Sequence, residues 1–222
     1  MASPAEGVRR MVSMAAGFRA TGRAATAPIW ALALAALVAL GGCGAGALFP
    51  MEAPARAVGD TEVWKSRTGT TTHTLVAIDA TSMRYEVAES GCTYTLPRDG
   101  LLPWTAWTNC RPRADGTQTV TLTEGQIWPL EIGRTWHYRR AGSDVSGDEW
   151  DEEGRCEVTK QTRVQNSWGF FRVFYTVCTS GAERRALYVS PDLGRSVRTW
   201  HSRLDGSDRP RKLELVRFTP AK

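Results

Sequence analysis

Histidine is scarce in this chain, at three residues in 222, and it contains neither a Cys-x-x-Cys pair nor a Gly-x-Ser-x-Gly turn. Zinc sites take their ligands in closely spaced pairs, and His73, His137 and His201 stand far apart, so a metal centre is not expected. Nucleophilic catalysis needs a Ser or Cys beside a base that a third group orients, and no such constellation is marked. Sustained helical periodicity is missing as well. Parallel βαβ folds, which depend on crossover helices, are thereby excluded. The 21 Gly and 11 Pro fall well short of a collagen-like or low-complexity composition. What the chain has in excess is tryptophan, nine residues that call for a core or a binding face.

The net charge of +5 suggests a nucleic-acid partner until it is divided along the chain. Arg9, Arg10, Arg19 and Arg23 precede residue 43 with only Glu6 against them, so the excess belongs mainly to the N-terminal leader. The rest is close to balanced, and nucleic acid is not expected as a partner.

No charged residue occurs between Ala24 and Met51, and the densest apolar run, Ile29 to Leu40, is 12 residues long. A membrane-spanning helix needs about 20 residues, whereas a secretory signal core needs 7–15. The arginines ahead of the run keep the N-terminus cytoplasmic. Arg9-Arg10 fits a twin-arginine export signal poorly, because its flanking residues differ and the apolar run lies far downstream. Met11 and Met14 are alternative start sites that leave the mature chain unchanged. The sequence Leu40-Gly41-Gly42-Cys43 resembles a bacterial lipobox. That resemblance implies that residues 1–42 form a cleaved lipoprotein signal peptide and that Cys43 carries diacylglycerol. Two or more acyl chains then hold the protein stably in a lipid bilayer. An uncleaved anchor helix over roughly residues 24–48 and a cleaved signal releasing a soluble product are the competing readings. Gly44, where the enterobacterial pattern places Asp for inner-membrane retention, favours the outer membrane by the same resemblance.

With Cys43 assigned to lipid, the odd count of five cysteines resolves into Cys92, Cys110, Cys156 and Cys178, which an oxidising periplasm would pair. Cys156 and Cys178 are symmetric about Ser167, within the turn-like Gln165-Asn166-Ser167-Trp168-Gly169. An antiparallel hairpin on that turn sets them opposite each other at a separation a disulfide can bridge. Cys92 and Cys110 are symmetric about Leu101, next to Pro97-Arg98-Asp99-Gly100, although Pro97 and Pro103 interrupt the strands. The sequential connectivity is therefore expected.

Residues 43–60, rich in Ala, Gly and Pro, read as a flexible tether, followed by one disulfide-stapled domain over 61–222 with halves at 61–127 and 128–222 as a subdivision. Period-2 alternation governs that domain: Met83, Tyr85 and Val87 alternate with Arg84 and Glu86, and Cys92, Tyr94 and Leu96 alternate with threonines. Further strands are expected at Thr72–Ile78, Trp104–Thr108, Val120–Leu122, Arg134–Arg139, Cys156–Val164, Phe170–Cys178, Arg185–Ser190, Arg195–Ser202 and Lys212–Phe218. Ten or eleven such strands predict an all-β fold, an antiparallel meander forming one strongly curved sheet or a barrel-like sandwich.

The segments Trp128-Pro129-Leu130-Glu131-Ile132-Gly133-Arg134-Thr135-Trp136-His137-Tyr138 and Tyr188-Val189-Ser190-Pro191-Asp192-Leu193-Gly194 resemble a loose group of uncharacterised exported β-sheet proteins of Gram-negative bacteria. The resemblance covers about residues 125–218 and implies a curved antiparallel sheet without a known activity. Arg134-Thr135-Trp136-His137 also echoes Arg198-Thr199-Trp200-His201, which raises duplication of a turn-strand unit. His137 and His201 are expected to point away from their neighbouring tryptophans.

The acidic stretch from Asp144 to Glu153 lacks the alternation of a calcium loop and reads as a solvated hairpin tip. A run on one loop also cannot supply a glycosidase's two facing carboxylates. Trp104, Trp107, Trp136 and Trp200 are the candidates for a ligand face, provided they line the concave side of the sheet; otherwise they are core. No catalytic residue, cofactor or metal is expected. The functional expectation is a membrane-anchored periplasmic lipoprotein acting as a non-enzymatic interaction or accessory module with an envelope protein partner. A carrier or chaperone of a hydrophobic ligand is the alternative, and an envelope hydrolase the more distant one. Replacing Cys43 with Ala is expected to abolish palmitate labelling and release the protein from the membrane fraction. Continued detergent-only extraction would support the uncleaved helix instead.

Overall fold

A computed structural model describes residues 48–111 and 113–222. The expected signal peptide, Cys43 and the first residues of the segment read as a tether lie outside the described residues. The alternating stretches become twelve strands: β1 (Thr61–Lys65), β2 (Thr70–Ile78), β3 (Ser82–Val87), β4 (Cys92–Pro97), β5 (Ala106–Thr108) and β6 (Gly116–Gly125), followed by β7 (Thr135–Asp144), β8 (Glu149–Gln165), β9 (Phe170–Ser180), β10 (Glu183–Ser190), β11 (Arg195–Arg203) and β12 (Arg211–Thr219). Each pairs antiparallel with its sequence neighbours, and β1 also pairs with β12, closing the sheet into a barrel. Of the expected strands, all eleven are present. The twelfth, β1, escapes the period-2 pattern because a bulge between Val63 and Trp64 leaves both side chains buried.

Hairpin symmetry sets the cysteines. Cys156 lies directly opposite Cys178 in the β8–β9 ladder, and the two are bonded at a Cα separation of 4.0 Å. Cys92 is bonded to Cys110 across 4.6 Å, joining the start of β4 to the segment after β5. Directly opposed residues share a face of a sheet. An unbroken rung therefore runs Trp136–Cys156–Cys178–Arg185–His201–Arg211 across β7 to β12. Trp136 and Cys156 are fully buried and Cys178 nearly so, so the whole rung belongs to the face turned to the core.

The apolar interior forms three clusters. The largest gathers Trp136, Tyr138, Val158, Phe174, Leu187 and Val189 around the Cys156–Cys178 bridge. Leu101 and Leu102 complete it from the β4–β5 connection, whose shape is held by Asp99 Oδ1 accepting the N–H groups of Leu101 (2.8 Å) and Leu102 (2.9 Å). Aromatic packing dominates the second cluster, around Tyr85, Tyr94 and Trp107, while the third packs Trp64, Val197 and Leu215 against Val164 and Val173. This connection and the clustered side chains fill the barrel.

Three expectations need correction. The segment read as tether is docked from Leu48 onward: Gln161 exchanges hydrogen bonds with the Leu48 backbone at 2.8 and 3.0 Å, and Met51, 7% exposed, bridges to Leu130. A single buried Met with side-chain hydrogen bonds makes no period for a pattern search to find. The subdivision at 127/128 is absent, since β6 and β7 pair across it in one continuous ladder. The acidic stretch is mostly strand: Glu149 to Glu153 open β8, where Arg139 pairs with Asp151 and Arg140 with Glu152.

Gly154 is the one position in β8 where the Tyr138 ring of β7 lies across the backbone, and an added Cβ would overlap that ring. Gly154→Ala is expected to destabilise the barrel by about 1–3 kcal/mol through overpacking, as measured by the urea midpoint. A wild-type midpoint would show that Tyr138 has room to move.

Candidate functional site

Two groups of charged side chains lie on the interior, at opposite ends of β11. Six steps along the strand take Arg195 to His201, about 20 Å along the barrel wall.

At the Arg195 end the charges are sealed. Arg195 has 4% of its side chain exposed, and its Nη1 lies 2.6 Å from Glu62 Oε1 and its Nη2 3.4 Å from Asp60 Oδ2. Arg56 Nη1 reaches the same Glu62 oxygen at 3.3 Å, Trp64 Nε1 donates to Glu62 Oε2 at 3.0 Å, and the Arg195 guanidinium rests 3.3 Å from the Phe218 ring centre. Asp60 Oδ1 accepts the Ala221 N–H at 3.0 Å. Every charge here is paired and hydrogen-bonded, as burial demands. Nearby, His73 is held between Tyr94 Oη (2.8 Å) and Thr71 Oγ1 (2.9 Å), and burial lowers its pKa below the ordinary 6.5. Burial and the Glu62 charge push the Tyr85 hydroxyl up to about 12.

At the other end the charges are open to water. Arg185, His201 and Arg211 occupy neighbouring positions on the rung, and Arg113 comes from the β5–β6 connection, its guanidinium lying 5.6 Å over the Trp104 ring and 5.1 Å over Trp107. Trp104 stacks on Tyr94 (4.4 Å) and Trp107 on Trp150 (5.9 Å), so an aromatic wall backs the arginine. His201 is solvent-exposed, yet its place on the rung turns it to the interior face at the open end of the barrel, a recess in the mouth. Desolvation by the surrounding barrel, followed by the charges of Arg185, Arg113 and Arg211, pushes its pKa down to about 3, so the ring is uncharged near neutral pH. Arg140 bonds Glu152 at 2.6 Å and Glu183 at 3.3 Å, and Ser180 Oγ donates to Glu152 at 3.1 Å. Asp99, its pKa raised by burial, lies close enough to Arg185 to act on it, and Arg185 donates to the Leu101 carbonyl.

The four tryptophans marked for ligand binding do not share a groove. Trp104 and Trp107 stand together behind Arg113, Trp136 is fully buried, and Trp200 lies on the outer face with the Lys212 ammonium 6.0 Å from its ring. His137 and Trp136 do sit on opposite faces, as do His201 and Trp200, but with inverted sense: in β7 the Trp faces the core, in β11 the His does. The two Arg-Thr-Trp-His segments are thus one residue out of phase, which removes the duplication reading. The Arg185–His201–Arg211 grouping was missed because each residue sits on a different strand. The cysteine symmetry could have found it: Cys178 and Arg185 are equidistant from the Gly181-Ala182 turn, which places Arg185 opposite a core cysteine.

The fold and these clusters define a closed antiparallel barrel with a sealed ionic lock at one end and a basic recess at the other. No family model matches the chain, and no curated protein matches it. Among solved structures, it is similar to the hypothetical lipoprotein YmcC from Escherichia coli (K12), at 8% identity and a TM-score of 0.47, over 74% of this chain and 87% of that one. This likeness is too loose to transfer a residue role or an activity.

Arg195→Met is expected to cost about 3–5 kcal/mol, because it leaves the Glu62 and Asp60 carboxylates buried with only Arg56 beside them. Adding Glu62→Gln should restore part of that loss in urea unfolding. If the double variant is no more stable than the single, lost packing rather than an uncompensated charge sets the cost.

Proposed function

We propose that the chain is a lipoprotein of the bacterial envelope, acylated at Cys43, facing the periplasm, and acting as a non-enzymatic interaction or accessory module; the outer membrane is the favoured location. The filled interior is the observation that carries this reading over a carrier of hydrophobic ligands. A carrier needs a lined apolar cavity of several hundred Å³. Here Leu101 and Leu102 enter the largest apolar cluster from a loop, and two hollows among the described residues are open to solvent with a mixed polar and apolar lining, formed in one by Trp107, Asp115 and Asp144 and in the other by His137, Glu153 and Arg155. Two disulfides suit an oxidising compartment, and the lipobox-like Leu40-Gly41-Gly42-Cys43 supports the anchor.

Native mass spectrometry of the protein extracted from envelope membranes tests the choice. The expected spectrum shows the acyl modification at Cys43 and a co-purified protein partner, without a stoichiometric apolar ligand. A bound lipid or quinone in one-to-one ratio would overturn the interaction-module reading in favour of the carrier.

A further inference from the structure

The recess at the β10–β12 end holds more positive charge than the barrel needs for its own stability. Among the described residues, the guanidiniums of Arg113, Arg185 and Arg211 make no ion pair, whereas Arg140 in the same region is paired twice. The neighbouring acids are already engaged or directed elsewhere: Glu152 and Glu183 hold Arg140, and Asp99 spends an oxygen on two backbone N–H groups of its own loop. Register brings Arg185 and Arg211 to either side of His201, their Cα atoms roughly 10 Å apart. Arginine side chains are long enough to reach one small ion from that separation, Arg185 keeping one N–H on the Leu101 carbonyl. The Trp104 and Trp107 rings fix the third guanidinium by cation–π contact and limit its freedom. One step further into the barrel on the same face, the hydroxyls of Thr176 and Thr199 are buried and have no hydrogen-bond partner among the described residues. The arginines and His201 supply forked donors and a neutral ring nitrogen, which an oxyanion at the mouth can use, while the two threonine hydroxyls lie sealed beneath it.

We propose that this recess is a binding site for a phosphoryl group, gripped by Arg113, Arg185 and Arg211 and hydrogen-bonded by His201. A tetrahedral dianion matches three forked donors better than a planar carboxylate, which one arginine saturates. The uncharged state of His201 near neutral pH makes it a hydrogen-bonding group rather than a fourth cation. The group comes either from free inorganic phosphate or from a lipid headgroup that ends in a phosphate monoester, and both present the same tetrahedral dianion.

The test is calorimetric titration of the full-length, detergent-solubilised protein with inorganic phosphate at neutral pH and low ionic strength, followed by glycerol 3-phosphate as a soluble headgroup fragment. Saturable binding is expected, weakened about tenfold by either Arg113→Gln or Arg211→Gln. Both side chains are exposed and free of ion pairs, so folding is retained. Arg184→Gln, exposed on the opposite face of β10, should bind as the parent does. Tighter binding of glycerol 3-phosphate would point to a headgroup and equal or weaker binding to a free phosphate; either ordering supports the site. Absence of saturable phosphate binding, or undiminished affinity in both the Arg113 and Arg211 variants, overturns it. Neither result bears on whether Cys43 is acylated, so failure here is distinguishable from failure of the anchoring proposal.

Discussion

Closure of the sheet between its first and last strands is the constraint on which the other features depend, and a buried arginine guards it. β1 is only five residues long and bulged, so its ladder to β12 alone is a weak seam. Arg195 of β11 reaches across to Glu62 of β1 and Asp60 just before it, while Asp60 in turn takes the N–H of Ala221 beyond β12. The first and last strands of the barrel, far apart in sequence, meet at one ionic knot. A buried ion pair contributes little over an apolar substitute, yet losing half of one is severe. Its value here is positional: a mispaired β1 would strand a carboxylate in the core, so only one closure is tolerated.

The middle of the barrel is organised differently. The Cys156–Cys178 bridge sits in the buried half of its rung, surrounded by Trp136, Phe174 and Val158, and it fixes the β8–β9 register against slippage. Because β10, β11 and β12 follow by short connections, a register fixed at this rung is inherited by Arg185, His201 and Arg211. Apolar order in the core thereby specifies polar order at the mouth. The loop carrying Asp99, Leu101 and Leu102 joins both: its leucines pack on the bridge cluster, and its Leu101 carbonyl receives Arg185.

Much of the fold was legible in the sequence because strand alternation and hairpin symmetry are local. The pairs Met83/Tyr85/Val87 and Cys92/Tyr94/Leu96 alternate cleanly in the barrel wall, and the symmetric cysteines are bonded as their spacing implies. What failed was structure held by single contacts. Leu48 and Met51 dock through one side-chain amide and one isolated bridge, leaving no periodic trace. β1 packs Val63 and Trp64 in succession, which breaks the period. The recess was hidden for another reason. Arg185 and Arg211 stand in polar surroundings, Glu183-Arg184-Arg185 and Arg209-Pro210-Arg211, that look like any solvated strand end, and only register through three hairpins shows that they face inward.

A cyclic ladder has a further effect on how such a molecule can be recognised. Open sheets offer rows of unpaired backbone N–H and C=O groups that another chain can extend by strand addition. In this ring every strand has a neighbour on both sides, although stretches such as β6 beyond Gln118 and β8 from Glu149 to Glu153 run with a partner on one side alone, so that mode of capture is confined to such stretches. Elsewhere on the wall, whatever binds the domain must read side chains, and the choice of companion is left to the loops and the two rims.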